Sequence, residues 1–128
     1  MEFAGFSLDT PAFLETLDVY VVSSLSEGLP LSVLEAMGAA LPVVGTAVGE
    51  IPEILRKAQS GWLSPPARPD ELAAAMAAAA AAPDLEAIGQ RNRSTVVKYY
   101  SAERMSEDYE RLYQQLLARH GKVLDVKT

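Results

Sequence analysis

The stretch that decides the fold, from Asp18 to Glu35, reads DVYVVSSLSEGLPLSVLE. Its first part, Asp18 to Val22, is an apolar run of the kind that forms a strand buried on both faces of a parallel sheet. Pro30 follows after a short polar segment, and proline suits the first turn of a helix because its missing N–H costs nothing there. Strand, turn and helix are therefore predicted to follow one another within a few residues.

The start of that helix is a predicted anion site. The first backbone N–H groups of a helix, here near Leu31, Ser32 and Val33, have no partners within the helix and carry the positive end of its dipole. They would point towards the carboxyl edge of the sheet, where a diphosphate could bind. Glu27 would lie in the loop at the mouth, and Glu35 more than one turn into the helix, at about 3.6 residues per turn. We expect both carboxylates to face one crevice.

The same residues belong to a longer segment, from Asp18 to Leu55, that reads DVYVVSSLSEGLPLSVLEAMGAALPVVGTAVGEIPEIL. It resembles the donor-binding half of the group 1 (family four) retaining glycosyltransferases, in which two doubly wound domains face a cleft. Glu27 and Glu35 match the E-x7-E motif of that family. The resemblance covers roughly Phe3 to Tyr113.

That resemblance implies a role for each residue from Glu27 to Glu35. Glu35 would accept hydrogen bonds from the ribose hydroxyls of a nucleotide sugar, and Glu27 would be the catalytic carboxylate beside the transferred hexose. The sugar pocket would be lined by the backbone of Gly28, Leu29, Pro30 and Leu31. The backbone amides nearest the diphosphate would be those of Ser32 and Val33. The nucleotide diphosphate sugar is a substrate, and no cofactor or metal is implied.

The residue types themselves suit this chemistry. An ionised carboxylate can accept from two adjacent ribose hydroxyls in a charge-assisted arrangement. Sugar transfer from a diphosphate builds positive charge on the anomeric carbon and negative charge on the leaving group, so acceptors and donors are both needed. The alternative is structural: Glu27 would cap the start of the helix, and Glu35 would be a solvated residue on its outer face.

Composition excludes several other classes of function. The chain has 128 residues and a formal charge of −6, and it lacks the clusters of Lys and Arg that bind nucleic acid. It has no cysteine and one histidine, which excludes disulfides, thiolate metal sites and most histidine-based chemistry. No run of about eighteen large apolar residues predicts a membrane span. We expect a cytoplasmic protein.

Short strands alternate with helices along the chain, which is typical of a parallel sheet flanked by helices. Strands are predicted over Phe3–Phe6, Asp18–Val22, Pro42–Gly45 and Gly61–Ser64. Helices are predicted from Thr10, as the cap, to about Leu17, then over Leu31–Ala40, Ile51–Lys57, Pro69 to Pro83, Asp84–Tyr99 and Ser101 to Arg119. The last of these carries an apolar stripe that suits docking.

The predicted fold class is α/β, a partial Rossmann-like parallel sheet equivalent to the second half of the C-terminal domain of a glycosyltransferase B-type fold, with a helical C-terminal tail. Residues 1–121 would form the truncated nucleotide-sugar-binding domain, and residues 122–128 a disordered tail. The first two strands of the resembled domain have no counterpart. One edge of the Asp18–Val22 strand would then be unpaired, and open edges recruit other strands. We expect a homo-oligomer formed through this edge.

The resemblance also bears on activity. The family's glycine-rich loop, Arg and Lys lie upstream of the matched segment, and Glu50 stands where the family has a second glycine. Helix amides contribute only about 0.3–2 kcal/mol for each dipole interaction, so we expect weak donor binding and no transfer without the missing N-terminal half or acceptor domain. The alternative function is a non-catalytic module that self-associates through its open edge.

Overall fold

The structure, a computed structural model, describes residues 2–119. Six helices are present in that part of the chain: α1 (Thr10–Leu14), α2 (Leu31–Gly38), α3 (Ile51–Ala58), α4 (Pro69–Ala80), α5 (Leu85–Tyr99) and α6 (Ala102–Arg119). Three strands alternate with the first four helices: β1 (Tyr20–Val22), β2 (Val43–Thr46) and β3 (Trp62–Ser64). The predicted boundary between residues 121 and 122 lies outside the described residues.

The three strands form one parallel sheet in the order β1-β2-β3. Tyr20 lies opposite Val43 between the first two strands, and Val44 lies opposite Trp62 between the last two. All four residues of β2 are buried, as expected for the central strand of a sheet covered on both faces. The α/β parallel sheet predicted from the sequence is therefore confirmed.

The Phe3–Phe6 segment is not a strand, contrary to the prediction. It has no ladder partner in the described residues, and the side chains of Phe3 and Phe6 are 86% and 90% exposed. A strand is stabilised by hydrogen bonds to a neighbour and by burial of its apolar face, and this segment has neither. Phe3 and Phe6 are β-forming residue types, but they are not enough to make this segment a strand.

The start of α1 also differs from the prediction. Asp9 is the cap, and its Oδ1 accepts a hydrogen bond from the Ala12 amide at 3.0 Å. Thr10 is instead the first helical residue. Both residue types favour the cap position, but only the Asp9 side chain lies three residues before an amide that needs a partner. The helix ends at Leu14, earlier than predicted.

The core lies between the sheet and the helices that follow β1 and β2. Val33 and Met37 of α2 pack there with Val43 of β2 and with Ile51 and Ile54 of α3, all fully buried. Helix α5 packs across α2 and α3, whereas α4 packs on β2 and β3. This packing fixes the start of α2 relative to the carboxyl ends of β1 and β2.

Helix α6 is the least buried helix, since none of its described residues is buried. Its apolar residues Met105, Tyr109, Leu112 and Leu116 recur along one stripe and remain between 42% and 58% exposed. The predicted apolar stripe is thus present.

Among the described residues, no single helix is both long and apolar enough to cross a membrane. Two helical segments, Pro69–Ala80 and Leu85–Arg119, together have the length and composition of a membrane span, but they are bent by 107° relative to each other.

Candidate functional site

The loop after β1 carries Glu27, and its carboxylate is held in place. The hydroxyl of Ser24 donates a hydrogen bond to Glu27 Oε1 at 2.6 Å, and Glu27 is half-buried. This carboxylate does not cap α2, because the cap residue is Pro30 and no side chain caps that helix. The capping alternative is therefore excluded for Glu27, which is free to act as an acceptor at the mouth of the loop.

The loop after β2 holds the Glu27 loop from the neighbouring strand. The hydroxyl of Thr46, at the end of β2, donates to the carbonyl of Ser24 at 2.6 Å. The amide of Glu50 donates to the carbonyl of Gly28 at 3.1 Å. Parallel strands bring their carboxyl ends to the same edge, which is why two loops far apart in sequence meet here.

The start of α2 leaves two backbone amides without partners among the described residues, those of Leu31 and Ser32. The amide of Val33, predicted to be free, instead donates to the Pro30 carbonyl at 3.1 Å in a tight first turn. Ser32 is exposed, whereas the side chains of Pro30 and Val33 are buried. This turn therefore offers two backbone donors, one fewer than the sequence predicted for an anion.

Glu35 lies on the exposed face of α2 and lines a hollow of about 430 Å³ between that helix and α1. The other residues around this hollow come from α1, its C-terminal cap, the end of α2 and one position of α5: Thr10, Pro11, Leu14, Glu15, Gly38, Ala39 and Arg93. Arg93 forms no ion pair within the described residues, so its charge is available to a ligand.

Glu27 is not one of the residues around that hollow. The side chains of Leu29 and Leu31 line a different cavity of about 550 Å³, between the start of α2 and the C-terminal helix α6. Aromatic and apolar residues dominate its wall, including Tyr100 and Tyr109. The two carboxylates therefore do not share the hollow beside α1: Glu35 lines it, whereas Glu27 is held by Ser24 in the loop before α2.

Several residues at this edge were not identified from the sequence. Ser24 lies three residues before Glu27 and could have been noticed as a nearby donor. Thr46 and Arg93 gave no local signal, because each reaches the site only through the packing of a distant element. Arg93 is an exposed residue of α5 that lines the same hollow as Glu35.

Comparisons with known proteins define the class, the glycosyltransferase family to which this chain belongs. The family model described as "Glycosyl transferases group 1" matches residues 1–82, and the chain belongs to this family. It is 36% identical over 85 residues to the putative colanic acid biosynthesis glycosyltransferase WcaL of Salmonella typhimurium, covering 60% of this chain and 21% of that protein. It is 29% identical over 126 residues to the N-acetyl-alpha-D-glucosaminyl L-malate synthase of Bacillus anthracis, covering 94% and 32%.

Solved structures agree with this assignment. The sucrose-phosphate synthase of Thermosynechococcus elongatus superposes with a TM-score of 0.76 at 30% identity, over 84% of this chain and 27% of that one. The C-terminal domain of a group 1 glycosyl transferase from Francisella tularensis superposes with a TM-score of 0.67 at 28% identity, over 80% and 53%. The predicted glycosyltransferase B-type fold is confirmed. The chain spans 21% and 32% of the two curated relatives named above.

Proposed function

We propose that this chain is the donor-binding part of a retaining glycosyltransferase, which transfers a hexose from a nucleotide diphosphate sugar to an acceptor. The observation that carries the proposal is the start of α2, where the unpartnered amides of Leu31 and Ser32 directly follow the loop that holds Glu27. Bare amides at a helix start bind phosphate oxygens. A carboxylate beside them would lie near the reacting end of the donor.

The ribose is assigned to the hollow beside Glu35. The Glu35 carboxylate is exposed there and can accept from two hydroxyls, and Arg93 adds a positive charge to the lining of the same hollow. In a chain of formal charge −6, such a cation offsets part of the repulsion that an anionic donor would meet. In this proposal the nucleotide lies along α2, from the hollow to the helix start.

Glu27 would act at the sugar. Positive charge develops on the anomeric carbon during transfer, and a fixed carboxylate stabilises it while the helix amides stabilise the departing diphosphate. The Ser24 hydroxyl keeps this carboxylate in one position before the donor arrives, and such preorganisation avoids a reorganisation cost during the reaction. The acceptor would come from a part of the enzyme other than this chain, so we expect donor binding without transfer.

Calorimetric titration tests the donor site. Nucleoside diphosphates with different bases, and their sugar conjugates, are titrated into the 128-residue chain and into Glu35→Ala. We expect at least one nucleotide to bind and Glu35→Ala to weaken it by about tenfold or more, since a charge-assisted acceptor pair is lost. Glu86→Ala is the matched control, because Glu86 is an exposed helical carboxylate on α5. The proposal fails if no nucleotide binds, or if the two variants behave alike.

The open edge of β1 favours a second function, self-association. The N–H of Tyr20 donates to the carbonyl of Pro42, just before β2, at 2.9 Å. Because successive residues of a strand direct their N–H and C=O groups to alternate edges, those of Val21 point away from β2. Within the described residues β1 pairs only with β2. A partner strand, from a second copy of this chain, would satisfy those groups.

Light scattering over a range of protein concentrations tests this second function. We expect a dimer or larger assembly that Val21→Lys weakens, because a charge on an edge strand opposes pairing. Val97→Lys is the matched control, since Val97 is an exposed valine on α5. A monomer at every concentration would exclude self-association and would leave the donor-site proposal untouched.

A further inference from the structure

We propose that Thr46 and Gly49, on the loop after β2, are positioning residues that set the location of the Glu27 carboxylate. This inference rests on the proposed function, because it gives these two residues a role in recognising the sugar of the donor. Neither residue lies in the segment from Glu27 to Glu35. Both act from the neighbouring crossover of the sheet.

Thr46 connects the core to the carboxylate through two consecutive hydrogen bonds. Its side chain is only 3% exposed, at the end of the fully buried strand β2. Its hydroxyl donates to the Ser24 carbonyl at 2.6 Å, and the Ser24 hydroxyl donates to Glu27 Oε1 at 2.6 Å. Because Thr46 is fixed by the sheet, Ser24 is held two residues after β1 with its hydroxyl directed at Glu27.

Gly49 packs against the later part of the same loop, at Glu27 and Gly28. Its φ of +53° lies in the left-handed region, which side chains other than glycine adopt at a cost. A Cβ atom at this position would lie 2.7 Å from the Gly28 carbonyl oxygen and would also collide with the Glu27 carbonyl. These are backbone atoms and cannot rotate away. The next residue, Glu50, closes the contact through its amide, which donates to the Gly28 carbonyl at 3.1 Å.

The two contacts bracket the loop. One fixes Ser24, three residues before Glu27, and the other lies against the Glu27 and Gly28 carbonyls. A side chain at position 49 would push the Glu27 backbone away from β2, and loss of the Thr46 hydroxyl would release Ser24. Either change should alter contacts to the sugar while leaving the start of α2 in place.

The first experiment separates positioning from general stability. The dissociation constants of the nucleotide sugar and of its nucleoside diphosphate are measured for the wild-type chain, Thr46→Val and Thr46→Ser. We expect Thr46→Val to weaken binding of the nucleotide sugar by about threefold to tenfold, the usual effect of one hydrogen bond. Binding of the nucleoside diphosphate should be unchanged, and Thr46→Ser, which keeps the donor, should restore sugar binding. Equal weakening of both ligands, or no weakening, would overturn the proposal for Thr46.

A double-mutant comparison adds a direct measure of coupling. In the Glu27→Gln background, Thr46→Val should have little further effect on sugar binding, because the group through which it acts has already lost its charge. Independent, additive effects of the two substitutions would show that Thr46 does not act through Glu27.

The second experiment needs no ligand. Amide chemical shifts of Ser24, Glu27 and Gly28 are compared in the wild type, Gly49→Ala and Gly61→Ala. Gly61, the residue before β3, is a matched control. Its φ is +88°, and a Cβ there would lie 2.9 Å from the carbonyl oxygen of Val43 in β2. We expect only Gly49→Ala to shift the three amides. Similar shifts in both variants, or none in Gly49→Ala, would overturn the proposal for Gly49.

The same shifts distinguish failure of the positioning proposal from failure of the donor-site proposal. If the wild-type chain binds no nucleotide, the proposed donor site is wrong, and the shifts in Gly49→Ala still decide whether Gly49 places the Glu27 loop. If Gly49→Ala does not fold, the Thr46 variants still decide whether the loop after β2 places Glu27, because removal of one hydroxyl leaves the backbone unchanged.

Discussion

The side-chain amide of Asn92 donates a hydrogen bond to the carbonyl of Leu41 at 2.8 Å, across 51 positions of the chain. Asn92 is fully buried on α5, and its Oδ1 accepts from the Ser60 hydroxyl. One side chain therefore ties α5 to the segment before β2 and to the segment before β3. It fixes the helix layer to the sheet whose carboxyl edge carries the site.

Loss of this amide should destabilise the whole domain. We expect Asn92→Ala to lower the free energy of unfolding by about 2–3 kcal/mol, because it leaves the Leu41 carbonyl without its partner and opens a small cavity. Urea denaturation followed by circular dichroism measures the change. Gln90→Ala, at an exposed position of the same helix, should change it by less than about 0.5 kcal/mol. Similar losses in the two variants would contradict this role.

Gly89 allows α5 to approach the turn after α2. A Cβ at this position would overlap the backbone of Ala40, so we expect Gly89→Ala to reduce the free energy of unfolding by about 1–3 kcal/mol. Gly38→Ala is the counterpart, because Gly38 has a helical backbone and no atom within 4 Å of its added Cβ. That change should raise stability by about 0.4–1 kcal/mol. Thermal denaturation of both variants checks the opposite signs.

The cap of α1 gives a direct comparison of two neighbouring residues. Asp9→Ala should cost about 0.5–2 kcal/mol, since the Ala12 amide loses its acceptor. Thr10→Ala should cost much less, because Thr10 is inside the helix and not at its cap. Chemical denaturation gives the difference in unfolding free energy. If Thr10→Ala lowered the free energy of unfolding more than Asp9→Ala, Thr10 would be the cap residue, as the sequence alone predicted.

Acid sensitivity is expected at Glu53. A hydrogen bond from Arg56 lowers the pKa of Glu53 below its ordinary value of 4.5, with further help from the charges of Arg56 and Lys57. A lowered pKa in the folded state means that the stabilisation is complete above the ordinary value and is lost as pH falls through the folded pKa. Denaturation between about pH 6 and pH 2 should therefore show a flatter profile for Glu53→Gln than for the wild type. Glu86→Gln is the control, since Glu86 forms no ion pair among the described residues.

Arg93 provides a test of the hollow beside Glu35. If the nucleotide binds there, Arg93→Ala should weaken its binding by about threefold to tenfold, and by less as salt increases, because exposed charges are screened. Arg91→Ala is the control, since Arg91 is exposed two positions away on α5 and therefore points to another side of the helix. Calorimetry at two ionic strengths measures both effects. Equal effects of Arg91 and Arg93 would indicate a general charge effect only.

Local patterns were sufficient for most of the elements. The apolar run before Ser23 predicted β1. Pro69 and the acidic residues after it predicted the start of α4, and the predicted end of that helix lies three residues beyond the observed one. The Phe3–Phe6 prediction failed because a strand depends on a neighbour, which no local pattern contains. The donor sugar and the cytoplasmic location stay predictions.

The sequence by itself determined the alternation of strands and helices, the positions of Glu27 and Glu35 around the start of α2, and the glycosyltransferase family. These depend on residue type and spacing over a few turns, where short-range sterics and hydrophobic burial dominate. Only the tertiary structure decided that Glu35 faces α1 and Arg93, that the Val33 amide is occupied, and that Thr46 and Gly49 hold the Glu27 loop. Such contacts join residues from different crossovers, and the packing of the sheet and its helices sets their distances.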